Sequence, residues 1–279
     1  MAKEPKITEK DIPYLIKSLK EGKSFTQLGE EYGLNYRTIS YYIRKLDLFK
    51  YTRYSKVVEN SLGNYFEVID TPEKAYILGF VLGDGSFSGI QKDYLDIAVA
   101  LGDKCVLDFI SKYLNTDIHI DKILDKKHRK FPKARITKTV PFLIKHLGGR
   151  LKPDRHFPRI KKELERYMVL GFFDADGSIA SGYRKDRNRF WTTISFVHHL
   201  KCLTGLQQFL YKRLGIATIV ASRSDENAYV IRFANKKDVL KFIDFIYPNE
   251  DFIVLKRKYE KAKAVRLEWG ENGEGAIEQ

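Results

Sequence analysis

Cysteine is nearly absent from this chain. Two thiols, Cys105 and Cys202, among 279 residues can build neither a disulfide framework nor a cysteine-rich zinc site, so a reducing, cytoplasmic setting is expected. The six histidines show none of the Cys/His spacing of zinc sites, which argues against a nuclease built on a His-Cys box. Long apolar runs are missing as well. Stretches such as Tyr76 to Gly83 fall well short of the ~20 residues a membrane-crossing helix needs, and no membrane association is expected. The opening MAKEPKITEK is charged and lacks the apolar core of a secretory signal. No phosphate cradle of the G-x-x-x-x-G-K-S/T type occurs, so ATP dependence is not expected. Basic residues, in contrast, are plentiful. Fifty Lys and Arg against 36 Asp and Glu leave a formal charge of +14, which calls for a polyanionic partner. With 43% hydrophobic and 13% aromatic residues the chain can bury a core, excluding wholesale disorder.

An internal repeat organises most of the length. YILGFVLGDGSF at 76–87 recurs as MVLGFFDADGSI at 168–179, placing Asp84 and Asp176 at matching positions 92 residues apart. LDIAVALGDKC at 95–105 then runs parallel to TTISFVHHLKC at 192–202, and even the two cysteines correspond. From Asp84 to Cys105 is 21 residues and from Asp176 to Cys202 is 26, so the second copy carries five more, in the basic stretch Tyr183 to Arg189. Each copy opens with a helix. In the first, Thr71 suits the N-cap, Pro72 the first turn, and Gly85 follows the apolar run as a stop. Alternation follows: Leu95, Ile97, Val99 and Leu101 share one face, with Tyr94, Asp96, Ala98 and Ala100 on the other. The order per copy reads helix, strand, strand, helix, strand, strand, helix, an α+β pattern of antiparallel hairpins.

The N-terminal part differs. Phe25 to Leu46 fits a helix-turn-helix, with Gly29 where two helices approach, Gly33 at the turn and Asn35 capping the next helix. Leu28, Leu34, Ile39 and Tyr42 fall inside, while Tyr36, Arg37, Ser40, Tyr41 and Arg44 are presented outward to bases and phosphates. The expected organisation is a small all-α unit over 1–47, a linker over 48–71, repeats over 72–160 and 161–267, and an acidic tail over 268–279.

The paired G-F-x-x-x-D-G-S motifs, each preceded by an apolar helical turn, resemble those of single-chain LAGLIDADG homing endonucleases. Physically, Gly79 and Gly83 in one helix, and Gly171 and Ala175 in the other, lie four apart and give each helix a small-residue stripe for close packing. Side-by-side packing about a pseudo-twofold axis brings Asp84 and Asp176 together at the negative helix ends, a costly arrangement unless divalent cations neutralise it. The resemblance implies Mg²⁺, with Mn²⁺ able to substitute, held by Asp84, Asp176 and the carbonyls of Gly83 and Ala175. It also implies a basic residue near each scissile phosphate, for which Lys152 and Lys256 are the candidates. A polar residue that the family often carries on the second strand is not evident, since Ala100 and Val197 stand nearest; His198 is a substitute for ordering water. Asp174 breaks the symmetry, its counterpart being Leu82.

Two saddle-shaped sheets in successive major grooves are implied by the same resemblance. DNA-facing candidates are Ser86, Ser88, Tyr94, Asp96, Lys133 and Arg135 in the first copy. In the second they are Ser181, Tyr183, Lys185, Arg187, Arg189, Trp191, Thr193 and Arg232. Lys126, Lys127, His128, Arg129 and Lys130 read as a solvated hairpin tip. The implied function is a monomeric, metal-dependent endonuclease making a staggered double-strand break in a long, asymmetric DNA target, consistent with intron mobility. The alternatives are an intron maturase that binds RNA and a non-cleaving DNA-binding regulator. Aspartates in both motifs disfavour the regulator, because DNA binding alone has no need of clustered carboxylates facing phosphates.

Overall fold

The computed structural model describes residues 7–48, 51, 62, 64–87, 94–124, 130–140, 142–223 and 228–271. The chain divides into two units, Met1–Ser61 and Leu62–Gln279.

In the first unit, α1 (Ile12–Lys20), α2 (Phe25–Tyr32) and α3 (Tyr36–Lys45) enclose a small core of Leu15, Leu19, Leu28, Ile39 and Ile43. Local chemistry fixes the ends of α2. Ser24 Oγ accepts from Gln27 N at 3.2 Å while Gln27 Oε1 accepts from Ser24 N at 2.8 Å, a reciprocal cap. Gly33, at φ +60°, closes the helix in the left-handed region. Asn35 Oδ1 then accepts from Arg37 N at 2.8 Å to start α3. Gly29 permits the close approach between α2 and the turn, because a Cβ there would stand 2.5 Å from the Leu34 carbonyl oxygen.

The second unit is built around two helices that are apolar on every side, α4 (Pro72–Asp84) and α7 (Glu165–Asp176). Ala75 to Gly83 are all buried in α4, as are Met168 to Asp174 in α7. Thr71 Oγ1 caps α4 by accepting from Lys74 N at 3.3 Å. The two halves repeat one plan. In the first, β1 (Ser86–Phe87), β2 (Tyr94–Ala100), α5 (Lys104–Leu114), β3 (His119–Leu124), β4 (Lys130–Thr139) and α6 (Leu143–Leu147) follow α4. In the second, β5 (Gly177–Arg184), β6 (Arg189–His198), α8 (Leu200–Leu214), β7 (Val220–Ser222), β8 (Tyr229–Phe233) and α9 (Lys236–Ile246) follow α7. A last helix, α10 (Lys256–Glu271), follows. Both sheets are antiparallel and four-stranded, ordered β1-β2-β4-β3 and β5-β6-β8-β7. The expected α+β order therefore holds in each half.

Alternation along β2 buries Leu95, Ile97 and Val99 and leaves Tyr94, Asp96 and Ala98 half-buried on the other face. Three expectations shift. Leu101 lies beyond the strand end, in a 3₁₀ turn, and is 41% exposed. Phe66 and Ile69, expected in a linker, are buried in the core of the second unit, because two large apolar side chains gain more from packing than from solvent. Residues 268–271, assigned to a tail, continue α10, and Trp269 packs against that same core beside Phe190.

Candidate active site at the paired helix ends

The interface between α4 and α7 obeys the repeat offset residue by residue. A Cβ on Gly79 would stand 1.9 Å from the Met168 carbonyl oxygen, and one on Gly171 would stand 2.1 Å from that of Tyr76. Met168 lies 92 residues after Tyr76, as Gly171 does after Gly79, so the contacts are reciprocal under the duplication. Farther along, a Cβ on Gly83 would be 2.6 Å from Ala175 Cβ and 3.1 Å from the Asp176 carboxylate carbon. The small-residue stripes thus carry the two C-terminal ends, with their aspartates, to one edge of the interface.

Asp84 and Asp176 are the last residues of their helices and remain partly open to solvent. Burial pushes the Asp176 carboxyl up to about 7, and the charge of Asp84 adds to the effect. Burial also raises Asp84, while Lys152 and then Lys258 pull it down. The same lysines oppose the rise at Asp176. Lys152 is half-buried in a 3₁₀ turn, Lys152–Asp154, and its field reaches both carboxylates. Lys256 is exposed at the start of α10. Lys258, two residues on, is the buried cation on that side.

Two buried cations tie the helix ends. Arg155 Nη1 donates to the carbonyls of Val81 at 2.9 Å, Leu82 at 3.1 Å and Gly85 at 3.0 Å. Lys258 Nζ donates to those of Phe173 at 2.5 Å, Asp174 at 2.9 Å and Gly177 at 2.6 Å. Sequence reasoning passed over both. A faint signal existed: the dipeptides Leu151-Lys152 and Leu255-Lys256 each precede one of these cations by no more than three residues.

Other groups lie close by. His198 Nε2 donates to the Leu82 carbonyl at 3.1 Å and sits 3.8 Å from Asp176 Oδ2. Burial lowers its pKa to about 4, so the ring is neutral and the approach to Asp176 is a polar contact, with no ion pair. Its Nδ1 is buried and has no hydrogen-bond partner among the described residues. Asp174 is fully buried and accepts a 2.8 Å bond from Tyr76 Oη, joining α7 to α4. Burial raises its carboxyl well above the ordinary range.

The donor chemistry suits a hard divalent cation. Two carboxylates face one edge, the charge of one raising the other, and both adjoin backbone oxygens of the helix ends. Among the described residues no cluster of three or more His, Cys, Asp or Glu forms, so any cation here would draw on Asp84, Asp176 and backbone oxygens.

Strand register sorts the surface candidates. Ala98 pairs with Arg135 and Ala100 with Lys133, placing both cations on the face of Tyr94 and Asp96. Arg135 lies 3.5 Å from Asp96. Ser86 is exposed opposite Asp96, and Ser88 lies outside the described residues. In the second sheet Arg189, Trp191 and Thr193 share a face with Arg232, which pairs with Ser195. Ser181 and Tyr183 pair with Thr192 and Phe190, and so lie on the opposite face, although both are exposed. Lys185 and Arg187 form the exposed 3₁₀ turn of the hairpin. Of the basic cluster at 126–130, residues 126–129 lie outside the described residues and Lys130 begins β4. In the first unit Tyr36, Arg37, Tyr41 and Arg44 are exposed on α3 and Ser40 is half-buried.

Residues 163–247 match a family model described as a LAGLIDADG-like domain. A solved double mutant of I-SmaMI superposes with a TM-score of 0.51 at 13% identity, over 72% of this chain and 92% of that one. The LAGLIDADG homing endonuclease I-GzeII, in complex with its DNA target, gives 0.50 at 12% identity, over 75% and 94%. The fold is that of the LAGLIDADG homing endonucleases. No curated protein matches the chain in sequence. The family model covers α7 and the sheet that follows it.

Proposed function

We propose that the protein is a site-specific DNA endonuclease of the LAGLIDADG type, acting as a monomer on a long, asymmetric duplex in the cytoplasmic compartment. The observation that carries this reading is the pair of duplicated aspartates, Asp84 and Asp176, at adjoining helix ends, each perturbed by burial and set beside cations. A DNA-binding module without chemistry has no use for two half-buried carboxylates set together in a chain of net charge +14. I-GzeII, with the same fold, was solved in complex with its DNA target, which supports duplex DNA as the partner.

Asp84, Asp176 and the carbonyls of Gly83 and Ala175 would hold Mg²⁺, with Mn²⁺ able to replace it. When bound, the cation lowers the pKa of water and offsets charge on the phosphate oxygens. The chain's own residues do the rest. Lys152 opposes the negative charge at both carboxylates, which supports a role for its ammonium in stabilising charge on a phosphate held there. Lys256, exposed on the first turn of α10, serves the second half from farther out. Tyr94, Asp96, Lys133 and Arg135 on one sheet, and Arg189, Trp191, Thr193 and Arg232 on the other, contact the duplex, with Ser86, Lys185 and Arg187 at the edges. Ser88 completes this set from the sequence alone. Residues 1–47 act as a helix-turn-helix that extends the footprint, with Tyr36, Arg37, Ser40, Tyr41 and Arg44 on α3 towards DNA. Cleavage leaves a staggered break, one strand cut by each half.

The test is incubation of the purified chain with a library of duplexes carrying a randomised target. Recovery of a defined duplex cut on both strands with Mg²⁺, and none with EDTA, is the expected result. Binding without cleavage in Mg²⁺ and in Mn²⁺ would overturn the reading.

A further inference from the structure

We propose that Arg155 and Lys258 are a pair of positioning residues, each of which clamps the backbone on both sides of one catalytic aspartate. The inference rests on the nuclease reading above and adds to it the groups that hold its carboxylates in place.

The coincidence of the bonds carries the argument. Arg155 takes the carbonyls of Val81, Leu82 and Gly85; Lys258 takes those of Phe173, Asp174 and Gly177. Each oxygen of one set lies 92 residues from its counterpart, the offset between Asp84 and Asp176. The cations themselves do not share that offset, being 103 residues apart. One is a guanidinium on the loop after the 3₁₀ turn Lys152–Asp154; the other is an ammonium in the first turn of α10. Different side chains on different local structures therefore meet the same three oxygens, which simple copying of the sequence does not explain.

The choice of oxygens matters. Two precede each aspartate, at three and two residues before it, and the third follows it by one. The last carbonyls of a helix carry the negative end of its dipole. Val81 O already accepts from the Gly85 N–H at 3.1 Å, Phe173 O from the Gly177 N–H, and Leu82 O from His198 Nε2 at 3.1 Å, so the cation adds a charged partner on both sides of the aspartate and fixes the turn at which the chain leaves the helix. Both cations are buried, Arg155 at 1% and Lys258 at 4% exposure, which is costly for a charge. Every hydrogen bond they make among the described residues ends on a backbone oxygen; Arg155 Nη2 adds that of Arg150 at 3.1 Å. Phe87 and Phe173 close over them, with ring centroids 5.3 and 5.0 Å away. This is a dry clamp on the chain, set behind the carboxylates.

Four variants test it: Arg155→Met, Lys258→Met, and the charge-keeping Arg155→Lys and Lys258→Arg. Each is assayed for binding of a duplex that the wild type cuts, with Ca²⁺ in place of Mg²⁺, and for single-turnover cleavage of each labelled strand. Hydrogen exchange is followed in the peptides spanning 81–86 and 173–178. Misplacement of a catalytic group by about 1 Å costs on the order of a hundredfold in rate, so the Met variants should lose about that much with binding little changed. The strand hit harder should differ between the two Met variants. Lys258→Arg should recover most of the rate, and Arg155→Lys should fall between wild type and Arg155→Met, having three donors for four carbonyls. Exchange should quicken at 173–178 alone in Lys258→Met and at 81–86 alone in Arg155→Met. Folded Met variants with wild-type cleavage, or equal quickening of both peptides, would overturn the proposal. If the Met variants do not fold, undiminished cleavage by Arg155→Lys overturns it. Should the wild type cut no duplex at all, the nuclease reading fails, while the exchange measurement still decides whether the clamps hold the helix ends.

Discussion

At the scale of single residues, the site sets burial against charge. Asp84 and Asp176 are raised by desolvation more than Lys152 and Lys258 lower them, so burial works against their charged form and the neighbouring cations offset only part of it. The two lysines marked from sequence stand differently. Lys152 acts on both aspartates, whereas Lys256 is solvent-exposed. Lys152→Met should therefore slow single-turnover cleavage by about ten- to a hundredfold while the affinity for the duplex holds, as expected for a group that stabilises developing charge. Lys256→Met should instead weaken binding and reduce the salt slope by about 0.9, the value of one neutralised phosphate. A titration of affinity against salt and a rate at saturating enzyme separate the two. The aspartates were legible in the sequence because duplication turns two weak Asp-Gly signals into a pair. Arg155 and Lys258 were not, since each bonds to carbonyls more than 65 residues away and carbonyl oxygens leave no mark on composition.

At the scale of elements, the α4–α7 interface depends on the absence of side chains. Gly171→Ala would drive a Cβ to 2.1 Å from the Tyr76 carbonyl and 2.9 Å from the Phe80 nitrogen, backbone atoms with no room to move. The expected loss is about 3 kcal/mol or more, at the upper end for overpacked cores, and is read from denaturant midpoints. The stripe was visible because a spacing of four on a helix defines a face; strand faces were harder. Ser181 and Tyr183 looked outward from composition, but the 3₁₀ turn Lys185–Arg187 sets a register that pairs them with Thr192 and Phe190. One ion pair also links the halves at the surface. Arg257 donates to both Asp103 oxygens, at 2.6 and 2.7 Å, and holds that carboxyl below its usual range. A carboxyl lowered on folding adds stability above its unfolded value, near 3.9, and that stability is lost as pH falls through the folded value. Asp103→Asn should cost less than about 1 kcal/mol at neutral pH, given the exposure of Arg257, and the gap from wild type should close below about pH 4. Thermal melts across that range check it.

At the scale of the whole molecule, the charge of +14 is spread over a unit that carries Asp84 and Asp176 and a smaller unit whose described residues form α1, α2 and α3. The repeat, the order of elements and the change of character near the N-terminus were readable from periodicity. The boundary was not: Phe66 and Ile69 sit in a segment whose composition resembles a linker, yet they are core residues of the larger unit. If the N-terminal unit binds DNA through α3, a chain lacking residues 1–47 should keep its cleavage chemistry and bind the duplex more weakly. Its salt slope should be shallower, by about 0.9 for each phosphate that α3 neutralises in the full chain. An unchanged slope would assign that unit another role. The central claim is that Asp84 and Asp176 together form the cutting site. Its most direct test is strand-resolved cleavage of one duplex by Asp84→Asn and Asp176→Asn, with binding measured alongside. The account predicts that each variant binds as the wild type does and fails to cut at least one strand; normal double-strand cutting by either would contradict it.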